Sequence, residues 1–141
     1  MSSTATYPAI DTAVLIRVRN RLIEYLEVAA SFDEQREYQR KSPETNVPME
    51  VVHQWEDWLT DDWQQRYTSP PFSEAELAAM TSYQRVVDPL ANGLIDGVHA
   101  PLAELEILCA MPAWQELRQA AADALAVFML RGKLPEQAKI Q

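Results

Sequence analysis

Apolar residues recur at steps of three and four along most of this chain. Nowhere do they alternate with polar ones in the two-residue rhythm of a half-buried strand. The first stripe runs Val14/Leu15, Val18, Leu22, Tyr25/Leu26, Ala29 and Phe32. It predicts a helix that begins near Asp11 or Thr12, either of which can cap it. Ser31-Phe32-Asp33-Glu34 has the form of a capping box, whose first and fourth side chains satisfy each other's backbone N–H groups. The box either restarts the helix or lies inside a longer one ending near Arg40. Residues 42–48 contain two prolines and read as a loop, because proline removes a helix hydrogen bond and clashes with the preceding turn.

Pro48 suits the first turn of the next helix, where its missing N–H costs nothing. Val51/Val52, Trp55, Trp58/Leu59, Asp62/Trp63 and Tyr67 form the second stripe, broadened by three tryptophans. The run from Thr68 to Phe72 ends it. Ser73-Glu74-Ala75-Glu76 is a capping box, with Ser73 as cap and Glu76 reaching back. The third stripe follows as Leu77, Met80, Tyr83/Gln84, Val87, Leu90/Ala91 and Leu94/Ile95. Pro89 within it is expected to kink or divide the helix, and Gly93 and Gly97 weaken its end. Pro101 opens a short helix to about Ala110. Pro112 opens the last one, which buries Ala113, Trp114, Leu117, Ala121, Ala124/Leu125 and Phe128. Gly132 is placed to cap that helix, and Pro135 blocks continuation.

These elements predict an all-α fold: a single-domain bundle of four to five helices with proline-marked turns. Residues 1–10 read as a flexible arm, 11–132 as the bundle and 133–141 as a loose polar tail. A length of 141 residues suits one core. With 48% apolar and 23% charged residues the body of the chain is expected to fold. Three glycines leave no room for a glycine-rich phosphate loop. No run of about 18 apolar residues offers a membrane span. The opening residues lack the basic and apolar pattern of a secretory signal. The lone Cys109, in an apolar setting without cations nearby in sequence, reads as a small core residue. A reducing cytoplasm is the compartment expected from these features.

Net charge is -9, and its distribution matters more than its size. Residues 1–47 carry seven acids and six bases, and residues 113–141 three acids and four bases. Residues 48–112 carry eleven acids against Arg66 and Arg85 alone. Such a surface repels nucleic acids and anionic membranes and attracts basic partners. Acidity also serves solubility with no partner involved. Arg17, Arg19 and Arg21 alternate around the first helix. With Arg36, Arg40 and Lys41 they are expected to pair with the acidic middle or to lie on a solvated face.

Chemistry-bearing patterns are sparse. Glu50-x-x-His53 has the spacing found in di-metal carboxylate bundles, and Asp96-x-x-His99 is a looser copy beside Gly97. The plainer reading of His53 is a helix-surface residue near Asp57. No serine or cysteine has the setting of a catalytic nucleophile. No cofactor is implied. The most unusual stretch is Trp55 to Trp63, with three tryptophans and four acids in nine residues. Aromatic anchors beside charge are typical of protein-binding hot spots, and they stack on cationic side chains. Tryptophans also simply fill cores.

The expectation is a non-enzymatic, acidic protein-binding module, engaging a basic partner through Glu56, Asp57, Trp58, Asp61, Asp62 and Trp63. Its concrete form is a bacterial immunity or antitoxin-type protein that occludes the active cleft of a toxin. One alternative is a helical-bundle enzyme, or a small-ligand or di-metal carboxylate protein using Glu50, His53, Asp96 and His99. Another is a homodimeric adaptor or structural protein built on the apolar face around Trp55–Trp63.

Overall fold

A computed structural model describes residues 12–59, 63–93 and 101–136, with backbone alone at 91–93 and 101–104. Among these residues the chain forms seven helices and no strand: α1 (Thr12–Ala29), α2 (Phe32–Lys41), α3 (Val47–Trp58), α4 (Trp63–Arg66), α5 (Glu74–Gly93), α6 (Pro101–Cys109) and α7 (Pro112–Phe128). The fold is all-α, with two more helices than the upper expectation. One is α2, because Ser31 restarts the helix: its hydroxyl accepts from the Glu34 N–H at 3.1 Å. The other is α4, a single turn set off from α3 where the apolar stripe alone reads as one helix. Pro89 lies inside a continuous α5, which it does not divide.

Local chemistry places the helix starts. Asn46 caps α3 by accepting from the Met49 N–H at 3.2 Å, and prolines occupy the first turns of α3 and α7. In α5 the box closes both ways, with Glu76 N–H to Ser73 Oγ and Ser73 N–H to Glu76 Oε1, each 3.1 Å. The chain leaves α7 through Gly132, whose φ of 74° is a region other side chains rarely adopt.

Helix α7 packs mainly on α5 and α1, while α2 bridges α1 to α6. The core joins Leu15, Leu22 and Leu26 of α1 to Met80 and Tyr83 of α5 and to Trp114, Leu117 and Phe128 of α7. Three polar groups cross it. Gln35 accepts from Trp114 Nε1 at 2.9 Å and donates to the Ala29 carbonyl, pinning α2 between α1 and α7. Gln39 donates to the Thr45 carbonyl and holds the 42–46 loop closed. Asn20 bonds the Leu134 N–H and carbonyl, at 3.0 and 2.8 Å. With the Lys133–Glu24 and Arg21–Glu136 pairs, that ties residues 133–136 onto α1, where a loose tail was expected.

A fourth crossing is an ion cluster. Arg19, fully buried, donates from Nη2 and Nε to the two oxygens of Glu76 at 2.7 and 3.1 Å. Arg131 donates to the same two oxygens, at 2.7 and 3.1 Å. Two further guanidinium protons of each reach backbone carbonyls, from Arg19 to Phe128 and Gly132 and from Arg131 to Pro70 and Pro71. Arg19 also lies over the Phe128 ring, 5.2 Å from its centroid. Arg19 was expected at the surface or on the acidic middle; it pairs with the middle, but inside the core.

Burial alone works to raise the pKa of Glu76. The bonds from Arg19, Arg131 and the Ser73 N–H overcome it and hold the carboxyl below the usual carboxylate range. A carboxylate lowered in the folded state contributes stability that is present above its unfolded pKa of about 4.3. That contribution is lost as pH falls through the lower folded value. Glu76→Gln should therefore destabilise the protein at neutral pH by about 3–5 kcal/mol, leaving Arg19 buried without its counter-charge. In urea unfolding across a pH series, the gap between wild type and variant should narrow below about pH 4.

Candidate functional site

Helix α3 turns Val47, Val51, Val52 and Trp55 inward, so spacing alone puts His53, Glu56 and Asp57 on the opposite, exposed side. Trp55 is 1% exposed. It stacks on Tyr25 at 5.7 Å and meets Tyr83 edge-on at 4.7 Å. Trp58 is half-buried, its ring edge-on to Tyr25 at 5.4 Å and 80°. Trp63 is 6% exposed and packs near Tyr67. Trp63, expected with Trp58 at the binding face, fills the core instead. The apolar face around Trp55–Trp63 invoked for a homodimer is thus turned mostly inward. Asp61 and Asp62 lie outside the described residues.

The hydroxyl of Tyr25 donates to the Val51 carbonyl at 2.6 Å. Its oxygen lies 2.8 Å from the Tyr83 hydroxyl, so Tyr83 is the donor of that second bond. Burial pushes both phenols well above their ordinary pKa, which keeps them neutral hydrogen-bonding groups. Outside this pair, Tyr25, Tyr38, Trp58 and Gln54 wall a recess of about 370 Å³, with Arg21 and Glu24 at its edge. Arg21 and Lys133 both pair with Glu24, so the mouth of the recess is close to neutral.

A second depression of about 470 Å³ lies between α5 and α7, with Tyr83 in its wall. Its floor is made of small side chains, among them Ala79, Ala120 and Ala124. Glu116 and Asp123 stand beside it. Neither had been singled out in the sequence, where the alanines of the last helix signal only that a neighbour can approach closely.

Carboxylates of residues 48–112 fare unequally. Among the described side chains, Glu76 takes Arg19 and Arg131, and Glu106 takes Arg36 at 2.8 Å. Arg40 and Lys41 pair with Glu37. Glu56, Asp57, Glu74 and Asp88 are exposed and no cation pairs with them among the described residues. Unpaired carboxylates thus remain on the outer sides of α3 and α5, while those of Glu76 and Glu106 are neutralised by arginines.

The metal pattern is not assembled among the described residues. Glu50 accepts from Gln54 at 3.1 Å and His53 is exposed, while Asp96 and His99 lie outside them. No group of three His, Cys, Asp or Glu side chains converges there. Cys109 is buried, and burial raises its pKa despite Arg36, which the fold brings near enough to act against that rise. Its sequence neighbours gave no sign of this cation.

The tyrosine pair yields an asymmetric expectation. Tyr25→Phe removes the second bond to the Val51 carbonyl and leaves the buried Tyr83 hydroxyl without its partner, at about 1–3 kcal/mol for the unpaired group. Tyr83→Phe leaves Tyr25 still donating to Val51 and should cost distinctly less. Equilibrium unfolding of the two variants should place Tyr25→Phe as the less stable.

No protein-family model, no curated protein and no solved structure matches this chain.

Proposed function

We propose that this chain is a non-enzymatic binding protein whose acidic outer surface engages a basic protein partner. The observation that supports this most directly is Glu56 and Asp57 on the exposed side of α3, without a cation among the described residues, next to half-buried Trp58. The bases of α1, α2 and the segment after α7 are largely engaged elsewhere, by Glu24, Glu37, Glu76, Glu106 and Glu136. Charge left uncompensated on a folded surface steers an oppositely charged partner and sets its orientation. An aromatic ring beside it supplies the desolvated contact that holds the complex once formed. The concrete form of the reading is a neutraliser of the immunity or antitoxin kind. A positive cleft evolved for a nucleic acid or nucleotide is the surface that an acidic helical plug complements.

The test begins with a partner captured from the native cell and purified. Glu56→Lys/Asp57→Lys should weaken its binding at least about tenfold, mostly through slower association. Trp58→Ala should weaken it mostly through faster dissociation. Binding by wild type should also fall as ionic strength rises, since exposed charges are screened over about 10 Å at 0.1 M salt. Unchanged affinity in the double lysine variant would overturn the reading.

A further inference from the structure

The depression between α5 and α7 has the pattern of a seat for another helix. Glu76 at the start of α5 bonds Arg131 just past the end of α7, so the two helices run antiparallel. On α5 the lining side chains Ala79, Ser82 and Val86 recur at steps of three and four. On α7, Glu116, Ala120, Asp123 and Val127 recur at four, three and four. Two parallel rows at that spacing form the successive holes into which a third helix inserts its side chains. Ala79 and Ser82 on one row and Ala120 on the other are small, which lets the incoming backbone come close there.

The same geometry indicates what kind of helix fits. Glu116 and Asp123 lie seven residues apart on one flank, which is about 10.5 Å along the axis of α7. Both are exposed, and no cation pairs with either among the described residues; Asp123 accepts only from Gln119, at 2.9 Å. A cationic side chain repeated once per heptad on the partner meets both carboxylates together. Past Val127 the apolar row continues outward in Leu130, which is 83% exposed, beside Met129 at 48%. A helix longer than the depression therefore finds a further apolar contact at this end.

We infer that the α5/α7 groove docks a helix of the basic partner. That helix carries small or aliphatic side chains along one stripe and Lys or Arg one heptad apart on the flank facing α7. The inference rests on the basic-partner reading and adds a site to it, on a different face from Glu56 and Asp57.

Labelled helical peptides of about three heptads, with Ala, Val or Leu stripes and two flanking lysines seven residues apart, test it by fluorescence anisotropy. At least one should bind the full chain, and its counterpart with glutamates for the lysines should bind at least about tenfold more weakly. Glu116→Lys/Asp123→Lys should reverse that preference. Ser82→Trp, which fills the groove from an exposed position, should abolish binding, with circular dichroism confirming the fold. Failure of every peptide to bind, or binding indifferent to Ser82→Trp, overturns the inference. A dimer in sedimentation that Ser82→Trp dissolves also overturns it, because a second copy then holds the groove. Glu56→Lys/Asp57→Lys should leave peptide binding unchanged. If the peptides fail while that double variant still weakens the captured partner, only the groove assignment falls.

Discussion

One buried carboxylate, that of Glu76, receives two guanidinium groups, one from inside the core and one from its edge, and the arrangement of the helices turns on it. Arg19 brings α1 to it, Arg131 brings the turn after α7, and the Ser73 N–H fixes the first turn of α5 beneath it. Desolvating Arg19 and Glu76 is expensive, and well-packed apolar residues of the same volume are often at least as stable. The cluster's more distinctive contribution is register. It locks the start of α5 against the end of α7, and so aligns the two rows of side chains that outline the groove. Because the spare donors of both arginines end on backbone carbonyls, the cluster has little freedom to rearrange.

The same cluster shapes the outer surface by subtraction. A chain with 12 bases and 21 acids must leave some carboxylates unpaired, and the fold decides which. Two arginines converge on Glu76, and Arg36 is drawn to Glu106. The outer sides of α3, α5 and α7 consequently keep Glu56, Asp88, Glu116 and Asp123 without a cation among the described residues. The acidic character of the sequence is thus sorted, partly buried and neutralised, partly displayed.

Much of the fold was legible because local chemistry marks it. Ser31, Ser73, Pro48, Pro101 and Pro112 announce helix starts through capping and proline geometry, which need no tertiary context. The break after Trp58 was not legible, since the apolar stripe runs on through Trp63 and Tyr67 at helical spacing. Arg19 was misjudged although its position carried a signal. It falls four residues after Leu15 and three before Leu22, on the stripe and not off it. An arginine there requires a buried acid, and nothing in the sequence says which of 21 it is. Of the binding residues, Glu56 and Asp57 could be placed outside by periodicity. Trp63 could not be assigned to the core without knowing how α4 lies. The groove was invisible for a related reason: it belongs to two helices, and only their antiparallel pairing gives it an outline.

Cys109 gives the molecule a reporter of its own movements. It is the chain's single thiol, it sits at the last residue of α6, and its surroundings keep it protonated. A modifying reagent reaches it when that corner opens, so labelling counts those openings, whether the corner lifts alone or with the whole bundle. Because Arg36, beside this thiol, pairs with Glu106 on the preceding turn of α6, loosening that one surface bond would speed the reaction at a buried atom without altering the core.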